Sequence, residues 1–251
     1  VMSDYILETQ GLVKAFGGFT AVKDVALKVR PNTVHALIGP NGAGKTTVFN
    51  LLTKFMPPTS GQIYFKGKEI THKTPVQVAR QGLVRSFQIS AVFSGLTVFE
   101  NLRVALARPL GLSYKFWRSL DSLKSTDARA SDLMEAVGLT EFRDIRAADL
   151  AYGRKRALEL ATTLALDPEL VLLDEPMAGL GQEDIAGISK LIHALKADRT
   201  VIMVEHNLSV VADLSDTITV LQRGEILAEG NYASVSTDKR VIEAYLGGDY
   251  E

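Results

Sequence analysis

Residues 39–47 read GPNGAGKTT, which satisfies G-x-x-x-x-G-K-[ST] with Gly39, Gly44, Lys45 and Thr46 in the required places. The chemistry this spacing serves is phosphate binding. Gly42 and Gly44 let the backbone turn tightly and aim successive N–H groups inward, where a Cβ would stand in the way. Lys45 brings a point charge for the β- and γ-phosphates, and Thr46 a hydroxyl for Mg²⁺. Further along, Asp174 and Glu175 follow the apolar run Leu170–Leu173, and Glu205 and His206 follow the β-branched run Thr200–Val204. Paired acids after an apolar strand are commonly loop residues, but downstream of a phosphate loop they read as a Mg²⁺ ligand and a general base. Gln88 has two readings: a solvated polar residue, or a group at a strand end that reaches Mg²⁺ and the attacking water. Of the four histidines, His35 lies inside an apolar run and reads as structural, and His72 and His193 lie on polar stretches and read as solvated. His206 stands at the carboxyl end of a strand, where ligand contacts in open α/β sheets collect.

These groups need a frame. Val34–Ile38 precedes the phosphate loop as a buried strand would, and Lys45–Leu52 follows with helical apolar spacing, so the loop opens onto a helix N-terminus and its positive dipole. Residues 5–30 alternate apolar and polar positions around Gly17-Gly18 and predict antiparallel strands. Spacing alone places Phe16 and Val22 in a core. A further strand carries Ile63 and Phe65 on one face; a short helix over Pro75–Gln81, stopped by Gly82, leads to a strand that ends at Gln88. Helical periodicity in Val98–Ala107 and Ala128–Val137 marks an insert, with an aromatic cluster at Tyr114, Phe116 and Trp117 that either covers the core or docks a partner. The stretch LAYGR at 150–154 opens a helix with Leu160, Ala161 and Leu164 on one face, ended by Asp167-Pro168. A helix over Ile185–Leu195, a hairpin turned at Arg223-Gly224 and an amphipathic helix over Lys239–Leu246 complete the chain.

Composition narrows the function classes. With 46% hydrophobic residues, 251 residues can bury a large core. No run approaches the roughly 18 apolar residues of a membrane span, and the expectation is a soluble, intracellular chain, with Val1 before Met2 an expression remnant. The absence of cysteine excludes disulfides and thiolate metal sites. A net charge of -1 from 28 basic and 29 acidic residues gives no footprint for nucleic acid, which is expected not to be a partner.

The order of these features, phosphate loop, Gln88, LAYGR, LVLLDE and His206, resembles that of ABC-transporter ATPase subunits over essentially the whole chain. LAYG at 150–153, DEPMAGL at 174–180 and VIEAYLG at 241–247 resemble the ATP-binding subunits of branched-chain amino-acid importers. The resemblance implies an α/β fold: a P-loop NTPase (RecA-like) core with an antiparallel β-subdomain and an inserted helical subdomain. It implies one domain over 1–251, with the core at 1–88 and 160–251 and the helical subdomain at about 89–159. It implies ATP and Mg²⁺ as ligands, with Phe16 stacking on adenine, Val22 also at the nucleotide, and Asn41, Gly42, Ala43, Gly44, Lys45, Thr46 and Thr47 around the phosphates. Thr46, Gln88 and Asp174 would arrange Mg²⁺, Glu175 would deprotonate water, and His206 would contact the γ-phosphate. Ala151, Tyr152 and Gly153 would complete the site of a second ATPase, identical or similar, across a head-to-tail dimer. Membrane-spanning permease subunits would be direct partners and an extracytoplasmic substrate-binding protein an indirect one, which places the chain peripherally on the cytoplasmic face of the inner (plasma) membrane. Three positions depart from the common family form: Ala151 for serine, Arg154 for glutamine and Gly181 for aspartate. The alternative is a soluble ABC-type ATPase gating a cytosolic partner.

Overall fold

The computed structural model describes residues 4–86, 92–107 and 120–246. The strands along them are β1 (Leu7–Phe16), β2 (Phe19–Val25), β3 (Lys28–Val29), β4 (Val34–Ile38), β5 (Ser60–Phe65), β6 (Lys68–Glu69), β7 (Leu83–Arg85), β8 (Leu170–Asp174), β9 (Thr200–Val204), β10 (Thr217–Gln222) and β11 (Glu225–Gly230). The helices are α1 (Lys45–Leu52), α2 (Pro75–Ala79), α3 (Val98–Ala107), α4 (Leu120–Ala136), α5 (Tyr152–Leu164), α6 (Gln182–Leu195), α7 (Leu208–Leu214), α8 (Tyr232–Ser236) and α9 (Lys239–Leu246).

β4, β8 and β9 are buried at every residue. Successive side chains of a strand point to opposite faces, so such strands need apolar cover on both sides. The structure provides it with two separate cores. Val34, Ala36, Val171, Leu173, Val201 and Met203 enter one core with α3, α4, α5 and α6, while Leu37, Leu170, Leu172, Ile202 and Val204 enter the other with β1, β5 and α1. The sheet runs β11-β10-β4-β9-β8-β7, parallel throughout except for the β10–β11 hairpin at one edge. The second sheet, β2-β1-β5-β6 with β3 also on β1, is antiparallel. All the parallel strands therefore end on one edge. The P-loop core, antiparallel layer and helical insert are those the sequence implies.

Several boundaries differ in detail. α2 stops at Ala79 rather than Gln81, and α6 begins at Gln182, three residues before its first apolar position. β7 ends at Arg85. Gln88 and the Tyr114–Trp117 cluster lie outside the described residues. α5 runs through positions 159 and 160 without a break. α7 and α8 escape the hydrophobic pattern because each spans fewer than two turns and is declared mainly by its cap, Asn207 or Asn231. Phe16 is not a core residue: it is 44% exposed, at the end of β1 beside the hairpin turn into β2, opposite Phe19.

His35, in the middle of β4, is 1% exposed. Its Nε2 lies 2.7 Å from Thr219 Oγ1, which lies 2.6 Å from Glu229 Oε2. The threonine hydroxyl has one proton; directed at the carboxylate, it leaves a lone pair to accept from His35 Nε2–H. Burial pushes the His35 imidazole down to about 4. An unfolded histidine titrates near ~6.5, so above that pH neither state holds the proton, and between ~6.5 and about 4 the unfolded chain holds it and the folded chain does not. Stability should therefore fall as pH drops through that window, by about 3 kcal/mol from this residue, and level off below it. Urea midpoints measured from pH 7 to 4 check this. His35→Gln, which keeps a donor for Thr219 and does not titrate, should flatten that part of the curve; an unchanged pH slope in the variant would refute the assignment.

Candidate active site

The edge where β4, β8 and β9 end holds a cleft lined by Phe16, Phe19 and Ala21 on one side, residues 41–47 at its floor, and Glu175 and His206 opposite. The floor is made by the loop from β4 to α1. Gly44 is the N-cap of α1 at φ +102, and a Cβ there would stand 2.6 Å from the Ala21 carbonyl oxygen. Only glycine satisfies both demands. No side chain caps α1 and no acidic residue occupies its first turn. The N–H groups of its first turn, which have no intrahelical acceptor, are left for an anion.

Lys45 is 7% exposed, and its Nζ donates to the carbonyls of Gly39 (2.6 Å) and Pro40 (2.9 Å). Burial draws its ammonium below the usual lysine range, and the carboxylates of Glu175 and Asp174 pull it partly back. One cation thus senses both acids across the cleft.

Glu175 sits just beyond β8 in the left-handed region, at φ +47, with its amide donating to Val204 O at 2.9 Å. A non-glycine residue held there is strained, and such residues cluster at functional sites. His206 Nε2 lies 2.7 Å from Glu175 Oε1. A carboxylate only accepts, so the imidazole proton is on Nε2 in this pair. Asp174 is 2% exposed, and its Oδ2 is paired with the Arg85 guanidinium, whose Nη1 donates to Asn50 Oδ1 of α1 at 2.6 Å. Asp174, β7 and α1 are thereby joined through one arginine.

The structure brings together in this cleft Phe16, residues 41–47, Glu175 and His206, with Asp174 buried behind them. It does not bring Val22 there. Val22 is fully buried among the residues of the antiparallel-sheet core, because its side chain points inward from β2, so the expected nucleotide contact is corrected. Ala151, Tyr152 and Gly153 lie at the start of α5 and do not line the cleft. Ala151 is the N-cap and provides no side-chain hydrogen bond, and the first turn holds no acidic residue. Gly153 packs against Asp184, whose carboxylate would lie 2.1 Å from a Cβ at that position. Arg154 stacks its guanidinium 3.9 Å from the Phe142 ring centre, which gives it a packing role of its own, and Gly181 is the N-cap of α6.

Three residues were not singled out by sequence reasoning. Phe19 is 63% exposed beside Phe16, and its only signal was an aromatic on each side of Gly17-Gly18. Arg85 is the one charge in an otherwise uncharged stretch, LVRSFQ. Glu205 is 4% exposed: Oε1 accepts from Met177 N–H at 2.9 Å, and Oε2 from His206 N–H at 2.9 Å and Asn207 N–H at 3.2 Å. This carboxylate ties the segment after β8 to the segment after β9 and so sets His206 relative to Glu175. Its signal was an acid placed directly after five apolar or β-branched residues, where burial is expected and a buried charge must be satisfied.

Among the described residues no helix is long and apolar enough to cross a membrane. The family model for the ABC transporter matches residues 22–178, and the one for the branched-chain amino acid ATP-binding cassette transporter matches residues 225–251. The high-affinity branched-chain amino acid transport ATP-binding protein BraF of Pseudomonas aeruginosa is 41% identical over 253 residues, covering 98% of this chain and 99% of its own. The corresponding LivG of Escherichia coli K12 is 39% identical with the same coverage. Among solved structures, the ADP conformation of MJ1267, an ATP-binding cassette of an ABC transporter, has a TM-score of 0.85 at 32% identity, over 98% of this chain and 100% of that one. With the phosphate loop, the parallel sheet and the match all running together along the chain, it belongs to the ABC transporter family and is one of its ATP-binding cassette ATPases.

Proposed function

We propose that this chain is the energy-coupling ATPase of an importer for branched-chain or other hydrophobic amino acids. The observation that carries the chemistry is the meeting in one cleft of the phosphate loop, its buried lysine and the Glu175–His206 pair at 2.7 Å. The cargo class follows from the named roles of relatives about 40% identical over nearly the whole chain.

In this reading the amides of residues 41–47 and the Lys45 ammonium hold the phosphates of ATP, and Phe16, with Phe19 beside it, offers an aromatic face to the base. Thr46 and Asp174 are oxygen donors of the kind Mg²⁺ takes, and a nucleotide-bound Mg²⁺ needs only one or two protein ligands. When bound, that ion neutralises charge on the β- and γ-phosphate oxygens. Glu175 takes a proton from water as the water oxygen bonds to the γ-phosphorus and the bond to the ADP oxygen breaks. His206 holds Glu175 in place before nucleotide arrives and turns toward the γ-phosphate afterwards. Phosphoryl transfer asks for positioning and charge stabilisation, which this set offers.

The uncapped start of α5 gives the second half of the reading. Its free N–H groups and dipole face the γ-phosphate of a second cassette, identical or similar, in a head-to-tail dimer. ATP then favours the closed dimer by its added contacts, and hydrolysis releases it. The chain acts as one cassette domain, core 1–88 and 160–251 with helical part 89–159, peripheral to membrane-spanning subunits on the cytoplasmic face, with a substrate-binding protein on the far side. Gln88, the last residue of the first core segment in sequence, is assigned to the Mg²⁺ and water site by the family resemblance.

Glu175→Gln is expected to keep ATP binding, to lose turnover by a hundredfold or more, roughly the scale of general base catalysis, and to accumulate an ATP-dependent dimer in gel filtration. Normal turnover would remove Glu175 as the base. Lys45→Ala should instead weaken ATP binding itself, read by titration calorimetry, and an unchanged affinity would contradict the phosphate-loop assignment. Purification of the tagged chain from native membranes in mild detergent should recover polytopic membrane subunits; recovery of soluble partners only, from an active chain, would overturn the importer reading.

A further inference from the structure

Glu175 is held from a side that neither its motif nor the cleft accounts for. Arg156, one turn into α5, directs its guanidinium at the end of β8: Nη2 donates to the carbonyls of Asp174 (3.0 Å) and Glu175 (3.2 Å), while Nη1 donates to Glu159 Oε2 at 2.9 Å. The side chains of Arg156 and Glu159 are only 13% and 10% exposed. A guanidinium removed from water to this degree needs its charge and its N–H groups satisfied, and the planar fork lets it serve a carboxylate and two carbonyls at once.

We infer that Arg156 is a positioning residue for Glu175: it fixes the peptide that carries the general base and fastens that peptide to the α5 helix. The inference rests on Glu175 being the base.

The geometry supports a specific job rather than general packing. The direction of a side chain follows from its own backbone. At Glu175 that backbone is in the left-handed region, at φ +47, a conformation that persists only where neighbours hold it. Three bonds do so: one at the amide and two at the carbonyl, which also accepts from Ala178 N–H of its own turn at 3.1 Å. The Glu175 amide donates to Val204 O at 2.9 Å, and its carbonyl accepts from Arg156. Remove the Arg156 bond, and the Glu175 carbonyl keeps only Ala178 N–H, a donor from its own local turn that can shift with it, so the peptide is no longer tied to α5; the residue can then relax toward an ordinary conformation and swing its carboxylate off line. The Asp174 carboxylate is gripped separately by Arg85, so the same change leaves that acid in place. Arg156 therefore acts on the base more than on the phosphate site. Arg156 also stands on the helix whose first residues are Tyr152 and Gly153, so the base and that helix end move as one piece.

A double-mutant comparison on the full chain tests this. Arg156→Gln should lower kcat by about a hundredfold, the scale of a misplacement of roughly 1 Å, with ATP affinity by calorimetry unchanged. Arg156→Lys should recover part of the loss, since an ammonium can serve a carbonyl without the fork. In the Glu175→Gln background, Arg156→Gln should cost no further turnover, because the group it orients is already gone. The inference is overturned if Arg156→Gln keeps full turnover, if ATP affinity falls in step with kcat, or if its loss multiplies with that of Glu175→Gln. Should Arg156→Gln lower the melting temperature too far to assay, Arg156→Lys and Glu159→Gln carry the same comparison, each expected to give a smaller loss of kcat at unchanged affinity that again vanishes in the Glu175→Gln background. Full turnover in Glu175→Gln alone is a different failure: it removes the base assignment itself, whereas an inactive Glu175→Gln beside a fully active Arg156→Gln removes only the role of Arg156.

Discussion

A parallel sheet covered on both faces can present charge only at its ends. β4, β8 and β9 are fully buried, with alternate residues committed to two different cores, so no polar side chain can leave the sheet along its length without being desolvated. His35 is the exception in β4, and it stays neutral with its proton directed at Thr219. The functional groups are therefore gathered where the strands stop: Lys45 after β4, Asp174 and Glu175 at the end of β8, Glu205 and His206 after β9, and Arg85 closing β7. The chemistry of the edge depends on the apolar alternation behind it.

Ion pairs and hydrogen bonds at that edge hold its polar side chains in register. Asp174 has Arg85, Glu159 has Arg156, Glu175 has His206, and Glu205, which has no cation in the same set, accepts three backbone N–H bonds instead. Two modes of restraint result. The carboxylates meant to stay fixed, Asp174, Glu159 and Glu205, are 2%, 8% and 4% exposed, whereas Glu175 and His206 keep 33% and 47% of their side chains exposed and touch each other through one bond. A single hydrogen bond between partly solvated groups contributes on the order of 1 kcal/mol or less. It is weak enough to be exchanged for a phosphate or a water, while the backbone under it remains anchored.

How much of this could be read in the residues depends on how local the signal was. The phosphate loop was legible because its demands are steric and contiguous: glycine at positive φ, lysine and threonine at fixed offsets, a buried strand before and a helix after. β8 and β9 were legible because burial on both faces produces unbroken apolar runs, and the β10–β11 hairpin because Arg223 and Gly224 must both take positive φ. Phe16 was misplaced by spacing alone, since alternation assigns a face to a strand residue but says nothing about where the sheet stops covering it. Val22 failed in the opposite direction: analogy put it at the ligand, and the inward phase of β2 buried it. The pairings of Arg85, Arg156 and Glu205 were silent because their partners lie 89, 18 and 28 residues away in sequence. No periodicity or motif links positions so far apart until the sheet brings them together.

The helix ends carry the remaining information. α2, α7 and α8 begin with Thr74, Asn207 and Asn231, whose side chains accept from first-turn amides, as helices do when their N-termini have only water or the chain itself to satisfy. α1 and α5 begin with Gly44 and Ala151, with no side-chain cap and no acid in the first turn. Leaving out a cap costs about 1 kcal/mol per helix; α6 also lacks a side-chain cap, at Gly181, but carries Glu183 and Asp184 in its first turn, as α1 and α5 do not. The α1 end faces the chain's own cleft; the α5 end does not, and none of residues 151–153 lines that cleft. Within the chain, the anion at the α5 end is the Asp184 carboxylate packed against Gly153; under the proposed head-to-tail arrangement a second cassette would offer that end a phosphate while receiving one in return.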